Sequence, residues 1–292
     1  MVSDTLKDIL SGTFGGIAQV LVGQPFDIVK VRIQTAPHGT YNGVLDCVSK
    51  IVTHEGPFAF YKGTLMPLMG VGACVSVQFA VVEEFKRRFR HANEARFGTS
   101  HLSDVQLYTA GAAAGIANSV IASPVEHIRI RMQTQRNGEF RGPIDCLSRI
   151  SREHGLKGVF RGFFPTALRE GHGMGVYFLT YEYMVQRALE GKHITRAELP
   201  TTTSMIAGAT AGIALWLMVY PIDVVKSCLQ TDSLDPSKRQ YHGSLDVIRQ
   251  LYGRGGIKAF FRGLEPTLIR APFANAATFV AFEWASRNLS KY

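Results

Sequence analysis

Pro25-Phe26-Asp27-Ile28-Val29-Lys30, Pro124-Val125-Glu126-His127-Ile128-Arg129 and Pro221-Ile222-Asp223-Val224-Val225-Lys226 carry one pattern. In each, an acid stands two residues after a proline and a base three residues after the acid. The prolines lie 99 and 97 residues apart in a chain of 292. A single hexapeptide of this kind is a weak signal. Three in register with a third of the chain define an internal repeat, with units at 1–98, 99–196 and 197–292 expected to form one structural domain. Acid and base three apart share a helix face. A proline inside a helix removes a hydrogen bond and bends it. Four residues after each base stands a glutamine: Gln34, Gln133 and Gln230.

Upstream, each motif closes an apolar stretch with glycines four apart: Gly12 and Gly16, Gly111 and Gly115, Gly208 and Gly212. That spacing lets a neighbouring backbone approach, as between membrane helices; a soluble helix rich in small residues reads the same locally. Downstream, Tyr41-Asn42-Gly43-Val44-Leu45-Asp46 is echoed by Phe140-Arg141-Gly142-Pro143-Ile144-Asp145 and Tyr241-His242-Gly243-Ser244-Leu245-Asp246. Each leads into about ten residues of helical periodicity, expected as a short amphipathic helix along a membrane surface. A further signature follows. Glu55-Gly56 leads to Tyr61-Lys62-Gly63, His154-Gly155 to Phe160-Arg161-Gly162, and Gly255-Gly256 to Phe261-Arg262-Gly263. From the last glycine an apolar stretch runs 20 residues to an acid: Glu83, Glu182 and Glu283. Twenty helical residues cover about 30 Å, the thickness of a hydrocarbon core. Two spans per repeat predict six in all, with connecting loops near 91–102, 191–198 and 231–240.

Composition fits this reading without proving it. Hydrophobic residues reach 46 %, yet the mean hydropathy is only +0.05, so hydropathy alone would miss the spans. The net charge of +9 suits an anionic membrane surface better than nucleic acid. Cys47, Cys74, Cys146 and Cys228 form no C-x-x-C pair and no zinc spacing, and a disulfide framework is not expected. The histidines lack metal-ligand spacing, so neither metal nor cofactor is expected. Gly171-His172-Gly173-Met174-Gly175 looks like a nucleotide loop, but it lies inside a predicted span with no strand before it. Close helix packing explains it better than an enzyme site. Residues 1–10, with Asp4 and Asp8, lack the pattern of a cleavable signal or transit peptide.

Taken together these segments resemble the mitochondrial carrier family over nearly the whole chain. The matching pattern is Pro-x-acid-x-x-base-x-base-x-Gln, then acid-Gly-x4-aromatic-base-Gly. Repeat one fits in full, with Arg32 as second base. Repeat two has Arg131 but His154 for the acid. Repeat three has Cys228 for the second base and Gly255 for the acid. Leu21–Gln34, Glu55–Phe79, Leu168–Glu182 and Leu215–Asp232 look most like the fungal YMC-type carriers, near the carnitine/acylcarnitine and ornithine branch.

The resemblance implies an all-α membrane protein: six tilted helices with threefold pseudosymmetry around a water-filled cavity, plus three short matrix-side surface helices. It implies a matrix gate in which Asp27 meets Arg129, Glu126 meets Lys226 and Asp223 meets Lys30, braced by Gln34, Gln133 and Gln230. Six charges on spanning helices are costly unless paired or wet, which supports such a ring independently. A weaker cytoplasmic gate would use Glu83 with Lys86, Glu182, and Glu283 with Arg287; Val185 replaces the second base, with Arg187 near. Lipid, by resemblance cardiolipin, would sit at Tyr61, Lys62 and Gly63, at Arg161 and Gly162, at Arg262 and Gly263, and near Gly43, Gly142 and Gly243. Ordinary capping with snorkelling bases is the alternative there. The expected state is a monomer in the mitochondrial inner membrane, without nucleic acid.

Cargo information lies where the threefold pattern fails. Seven residues past Gly63, Gly162 and Gly263 lie Gly70, Arg169 and Arg270, followed by Val71, Glu170 and Ala271. Arg270 can fork onto a carboxylate, and Glu170 can accept an ammonium. Arg169 would hold Glu170 ionised, Gly70 and Val71 would leave room for a side chain, and Gln78 and Asn275 would add polar contacts. An amino acid or similar zwitterion fits. A carnitine ester, with Tyr177 and Phe178 near its quaternary nitrogen, is the alternative. The bland alternative is that Arg169 and Glu170 only neutralise each other and Arg270 merely sets a positive potential; a non-transporting scaffold is a further alternative, against which Arg169, Glu170 and Arg270 argue.

Overall fold

The computed structural model describes residues 4–37, 39–135, 139–190 and 199–289. The predicted loop at 191–198 lies outside the described residues, as do the side chains of Val71 and Glu283. Within the described residues the secondary structure is helical. Six long helices are α1 (Asp4–Thr35), α3 (Leu65–Phe97), α4 (Asp104–Thr134), α6 (Phe163–Leu189), α7 (Thr201–Thr231) and α9 (Leu264–Leu289). Three short ones are α2 (Val44–Glu55), α5 (Pro143–Val159) and α8 (Ser244–Gly255). The shortest long helix, α9, has 26 residues, about 39 Å at 1.5 Å per residue and enough to cross a bilayer core.

The helical assignment runs through Pro25, Pro124 and Pro221. Two glycines per repeat set where helices stop and start. Gly56, Gly155 and Gly256 have φ of 79°, 61° and 58°, and Gly63, Gly162 and Gly263 have φ of 80°, 81° and 81°. A side chain is strained in that left-handed region. Gly155 interrupts α5 where Gly56 and Gly256 end α2 and α8.

Two predicted boundaries are corrected. The loop expected near 91–102 begins only after Phe97, because α3 continues through Arg87-Arg88-Phe89-Arg90. Arg87 and Arg88 pair with Glu84 on their own helix, Arg88 at 2.7 Å, and such pairs stabilise exposed turns. The long helices also run on past the acids, α3 to Phe97 and α6 to Leu189.

The chain divides into two compact units: Met1–Val71 with Val125–Arg161 and Ser227–Tyr292, and Gly72–Pro124 with Gly162–Lys226. In the first, α1 packs along α9, with ring contacts between Phe14 and Trp284 at 6.1 Å and between Phe26 and Phe273 at 5.9 Å. The short helices each bury one stripe. Cys47 and Ile51 of α2 pack on Ile28 and Val29, and Cys146 and Ile150 of α5 pack on Ile128 and Met132. Val247 and Leu251 are the buried pair of α8. Burying each such aliphatic chain is worth about 1.5–3 kcal/mol, which is why the stripe recurs at one register. Leu45, Ile144 and Leu245 in the first turns are exposed, apolar residues outside the buried stripe.

In the second unit, α4 and α6 approach through glycine. A Cβ on Gly111 would sit 2.6 Å from the Met174 carbonyl oxygen, and one on Gly115 would sit 2.2 Å from that of Glu170. Across the same contact Gly171 faces Ile116 and Gly175 faces Tyr108, so the glycine-rich 171–175 segment is a packing surface. The equivalent glycines behave differently. Gly12, Gly16 and Gly212 have open space beside them, and Gly208 meets only the Tyr177 hydroxyl at 3.8 Å. Among the described residues the close approach expected at these glycines is seen in repeat two.

The long helices expose large apolar side chains at helical spacing: Phe14, Ile17 and Leu21 on α1, Ile116 and Val120 on α4, Phe273, Val280 and Trp284 on α9. Lipid is the natural solvent for such faces. Among the described residues one helix taken alone, Thr202–Thr231, is long and apolar enough to cross a membrane.

Candidate solute site and its ion-pair network

In the first unit Asp27 is the centre of a charged cluster. Its Oδ2 accepts from Arg129 Nη2 at 2.6 Å, and its Oδ1 lies 3.0 Å from Arg270 Nε. Arg129 also donates to Gln24 Oε1 at 2.9 Å, and Gln24 donates to the Lys62 carbonyl at 2.9 Å. Arg270 packs against Gly23, where a Cβ would come within 2.7 Å of its Nε. Arg270 thus rests on the acid of the first proline motif.

The second unit repeats the arrangement with different residues. Arg169 donates to Glu170, and its Nε lies 3.6 Å from Asp223 Oδ1. Lys226 Nζ lies 3.9 Å from the same oxygen. Glu170 further accepts from Asn118 at 3.0 Å and from Gln78 at 3.5 Å. Arg169, Asp223 and Lys226 are all buried, where charge must be paired to be tolerated. Lys30 and Glu126 have interactions of their own. Gln34, Gln133 and Gln230 are fully buried.

One expected feature differs. The space beside Gly70 is filled: Val125 would lie 3.1 Å from a Cβ there, so the missing side chain serves helix packing. Asn275 is exposed. Of the other gate residues, Lys86 Nζ is 3.5 Å from Glu83 and 5.0 Å from the centre of the Phe178 ring. Lys86 and Glu182 line one small cavity of about 170 Å³. Val185 is buried, and Arg187 turns to Tyr183 and Glu190. Arg287 is exposed and has an interaction of its own.

A second tier of pairs braces the short helices. Glu55 accepts from both nitrogens of the Arg32 fork and from Lys62 at 2.6 Å. These donors, Arg32 foremost, hold the Glu55 carboxyl down at about 2. Repeat two has no acid at 154, and its bases turn elsewhere. Arg161 donates to Asp232 Oδ2 at 2.6 Å and to the Leu229 carbonyl at 3.0 Å. Arg131 donates to the Asp232 carbonyl at 2.6 Å and to His127 Nε2 at 2.8 Å. That donation places the imidazole proton on Nδ1, 3.0 Å from the Val159 carbonyl. Asp232, His127 and Asn118 are absent from the sequence expectation. The only sequence signal for His127 is a polar residue where the other repeats have Ile28 and Val224.

Three repeats, paired charges inside long helices and apolar outer faces define a membrane solute carrier of tripartite build. The family model for mitochondrial carrier proteins matches residues 2–93, 100–192 and 197–292, and the chain belongs to that family. It is a multi-pass protein of the mitochondrial inner membrane that carries a small-molecule substrate. Among its relatives, the mitochondrial glycine transporter YMC1 of Saccharomyces cerevisiae is 50 % identical over 97 % of this chain and 92 % of its own. The glutamate/glycine mitochondrial carrier ymc1 of Schizosaccharomyces pombe is 46 % identical over 99 % and 96 %. The mitochondrial basic amino acids transporter of Bos taurus is 42 % identical over 93 % and 88 %.

Proposed function

We propose that the cargo is a small neutral or acidic amino acid, with Arg270 as its carboxylate anchor and Glu170 as its ammonium acceptor. The observation that carries this reading is the contact of Arg270 with Asp27 at 3.0 Å. A cargo carboxylate competes with Asp27 for Arg270, and Asp27 then remains with Arg129. A cargo ammonium competes with Arg169 for Glu170, and Arg169 turns to Asp223. Each step exchanges one ion pair for another instead of breaking one, so its net cost is low. Each also acts on the acid of a proline motif. Cargo thereby gains differential affinity for the state in which these acids change partners, which alternating access requires. The ring of Asp27, Arg129, Glu126, Lys226, Asp223 and Lys30 is the matrix gate in this scheme, and Glu83, Lys86, Glu182, Glu283 and Arg287 serve the other side.

The names of the two yeast relatives support an amino acid. Val125, packed beside Gly70, favours a cargo with a small side chain in this reading. A carnitine ester would need aromatic faces, and the Phe178 ring already carries Lys86. Lipid phosphate, of the cardiolipin kind, fits the starts of α2, α5 and α8, whose Gly43, Gly142 and Gly243 caps supply no side-chain acceptor to the first turn, since helix starts favour phosphate. A monomer suffices for this cycle.

The test is uptake into proteoliposomes from a panel of labelled glycine, glutamate, lysine, acylcarnitine and dicarboxylates. Saturable glycine or glutamate exchange is expected, with Arg270→Ala lowering uptake about 10- to 100-fold while the protein stays folded. Uptake of lysine or acylcarnitine alone, or normal uptake by Arg270→Ala, overturns the assignment.

A further inference from the structure

Asn118 is 3 % exposed, and only one end of its amide is used. Its Nδ2 donates to Glu170 Oε2 at 3.0 Å. Its Oδ1 is buried and receives no hydrogen bond among the described residues. Chemistry fixes the orientation: a carboxylate accepts, so the NH2 end of the amide faces Glu170 and the carbonyl end does not. A buried acceptor left without a donor costs about 1–3 kcal/mol, and such groups are rare enough to need a reason. The position also breaks the repeat. Six residues before each motif proline stand Gln19, Asn118 and Leu215, so the repeated architecture does not require an amide of this length. Local packing brings it to Glu170. Gly115, three residues earlier on α4, admits the α6 backbone at the Glu170 carbonyl, and residues three apart share a helix face.

We propose that Asn118 is a specificity-determining residue whose Oδ1, together with Glu170, seats the cargo ammonium. The inference rests on the reading of Glu170 as the ammonium acceptor. The oxygen and nitrogen of an amide lie about 2.3 Å apart, so Asn118 Oδ1 is no more than about 5.3 Å from Glu170 Oε2. One nitrogen bonded to both oxygens at about 2.8 Å spans up to about 5.6 Å, so a single ammonium can reach both. Asn118 Nδ2 stays on Glu170 and holds the carboxylate in place when Arg169 turns to Asp223. The bridging nitrogen needs one N–H for each oxygen. Primary and secondary ammonium groups have enough, a tertiary one has a single N–H, and a quaternary one has none. The seat therefore selects by N–H count. A site built to hydrogen-bond a group rejects analogues lacking it far more strongly than an apolar pocket rejects an added methyl.

The experiment uses the full-length protein in proteoliposomes exchanging labelled glycine or glutamate, whichever the wild type takes up. Unlabelled glycine, N-methylglycine, N,N-dimethylglycine and N,N,N-trimethylglycine are compared as inhibitors. In the wild type the half-inhibiting concentration is expected to rise about tenfold or more between the mono- and dimethylated compounds, where the second N–H is lost. Asn118→Leu, of similar volume and without a polar atom, should weaken glycine and N-methylglycine about tenfold and leave the other two unchanged, so that the step disappears. Asn118→Ser, too short to bring an oxygen to the same place, should flatten the step with a smaller change of polarity. Even increments at every methyl in the wild type overturn the proposal without any variant. So does a variant that keeps the wild-type step, or one that weakens all four compounds equally, since Asn118 would then only support Glu170. A wild type that exchanges neither glycine nor glutamate defeats the reading of Glu170 itself, and the assignment of Asn118 falls with it.

Discussion

Glu55 shows how one side chain can hold three segments. It stands at the end of α2 and ties Arg32 of α1 to Lys62 beyond the following turn. Its carboxyl titrates at about 2, below the ordinary 4.5. A depressed folded-state value means the contribution is complete above the unfolded value and is lost as pH falls toward the folded one. Wild type should therefore exceed Glu55→Gln in unfolding temperature by a constant few degrees above pH 5, and the gap should close between about pH 4.5 and 2. Thermal scans of both proteins across that range check it; a gap independent of pH would refute the ion-pair account. The acid and base positions of this brace are legible in the sequence because repeat one keeps the full pattern. Asp232 and Asn118 are not, because each occurs in one repeat only. Neither stands in a motif, and only folding brings Asp232 to Arg161 and Asn118 to Glu170.

At the scale of elements, the three copies use their shared pattern unequally. Gly115 and Gly16 occupy the same place in their repeats, yet only Gly115 has a backbone pressed against it. Gly115→Ala must push α6 away at Glu170, the proposed ammonium acceptor, and should cost about 1–3 kcal/mol together with most of the uptake. Gly16→Ala should be neutral or stabilise by up to about 1 kcal/mol, since alanine favours a helix over glycine. Unfolding and uptake of the pair would distinguish them, and equal behaviour would contradict the packing seen here. Spacing alone could not foretell this, because i and i+4 glycines mark a permissive face without naming what lies across it. The brace of repeat two yields a matching prediction. Asp232→Asn removes a buried partner of Arg161 and should destabilise by about 3 kcal/mol. Adding His154→Glu, which restores an acid at the place of Glu55, should recover part of that loss in the same thermal assay. A double variant no more stable than the single one would show that position 154 cannot reach Arg161.

For the whole molecule, membrane insertion has to be a collective property. Among the described residues one helix, Thr202–Thr231, is apolar enough on its own to cross a membrane, and it presents an uncharged run from Thr202 to Ile222. Asp27 pairs with Arg129 and Arg270 within one unit, and Arg169 with Glu170 and Asp223 within the other. A helix such as α1, taken out of this setting, brings Asp27, Lys30 and Arg32 toward hydrocarbon with no partner, at a cost of about 2.5–3.5 kcal/mol for each charge at the bilayer centre. That is why mean hydropathy understates the spans and why the repeat reveals them: charges such as Asp27 and Glu170 are satisfied by residues of other helices. The expected consequence is a hierarchy of insertion. In a glycosylation-reporter assay with single segments placed in a host protein, residues 201–231 should insert in most molecules and residues 4–35 in a minority. Asp27→Leu with Lys30→Leu should raise the second segment toward the first while abolishing transport in the full-length carrier. Efficient insertion of unmodified 4–35 would mean that the charges lie shallow enough to reach water unaided, and that their pairing serves the gate and not the fold.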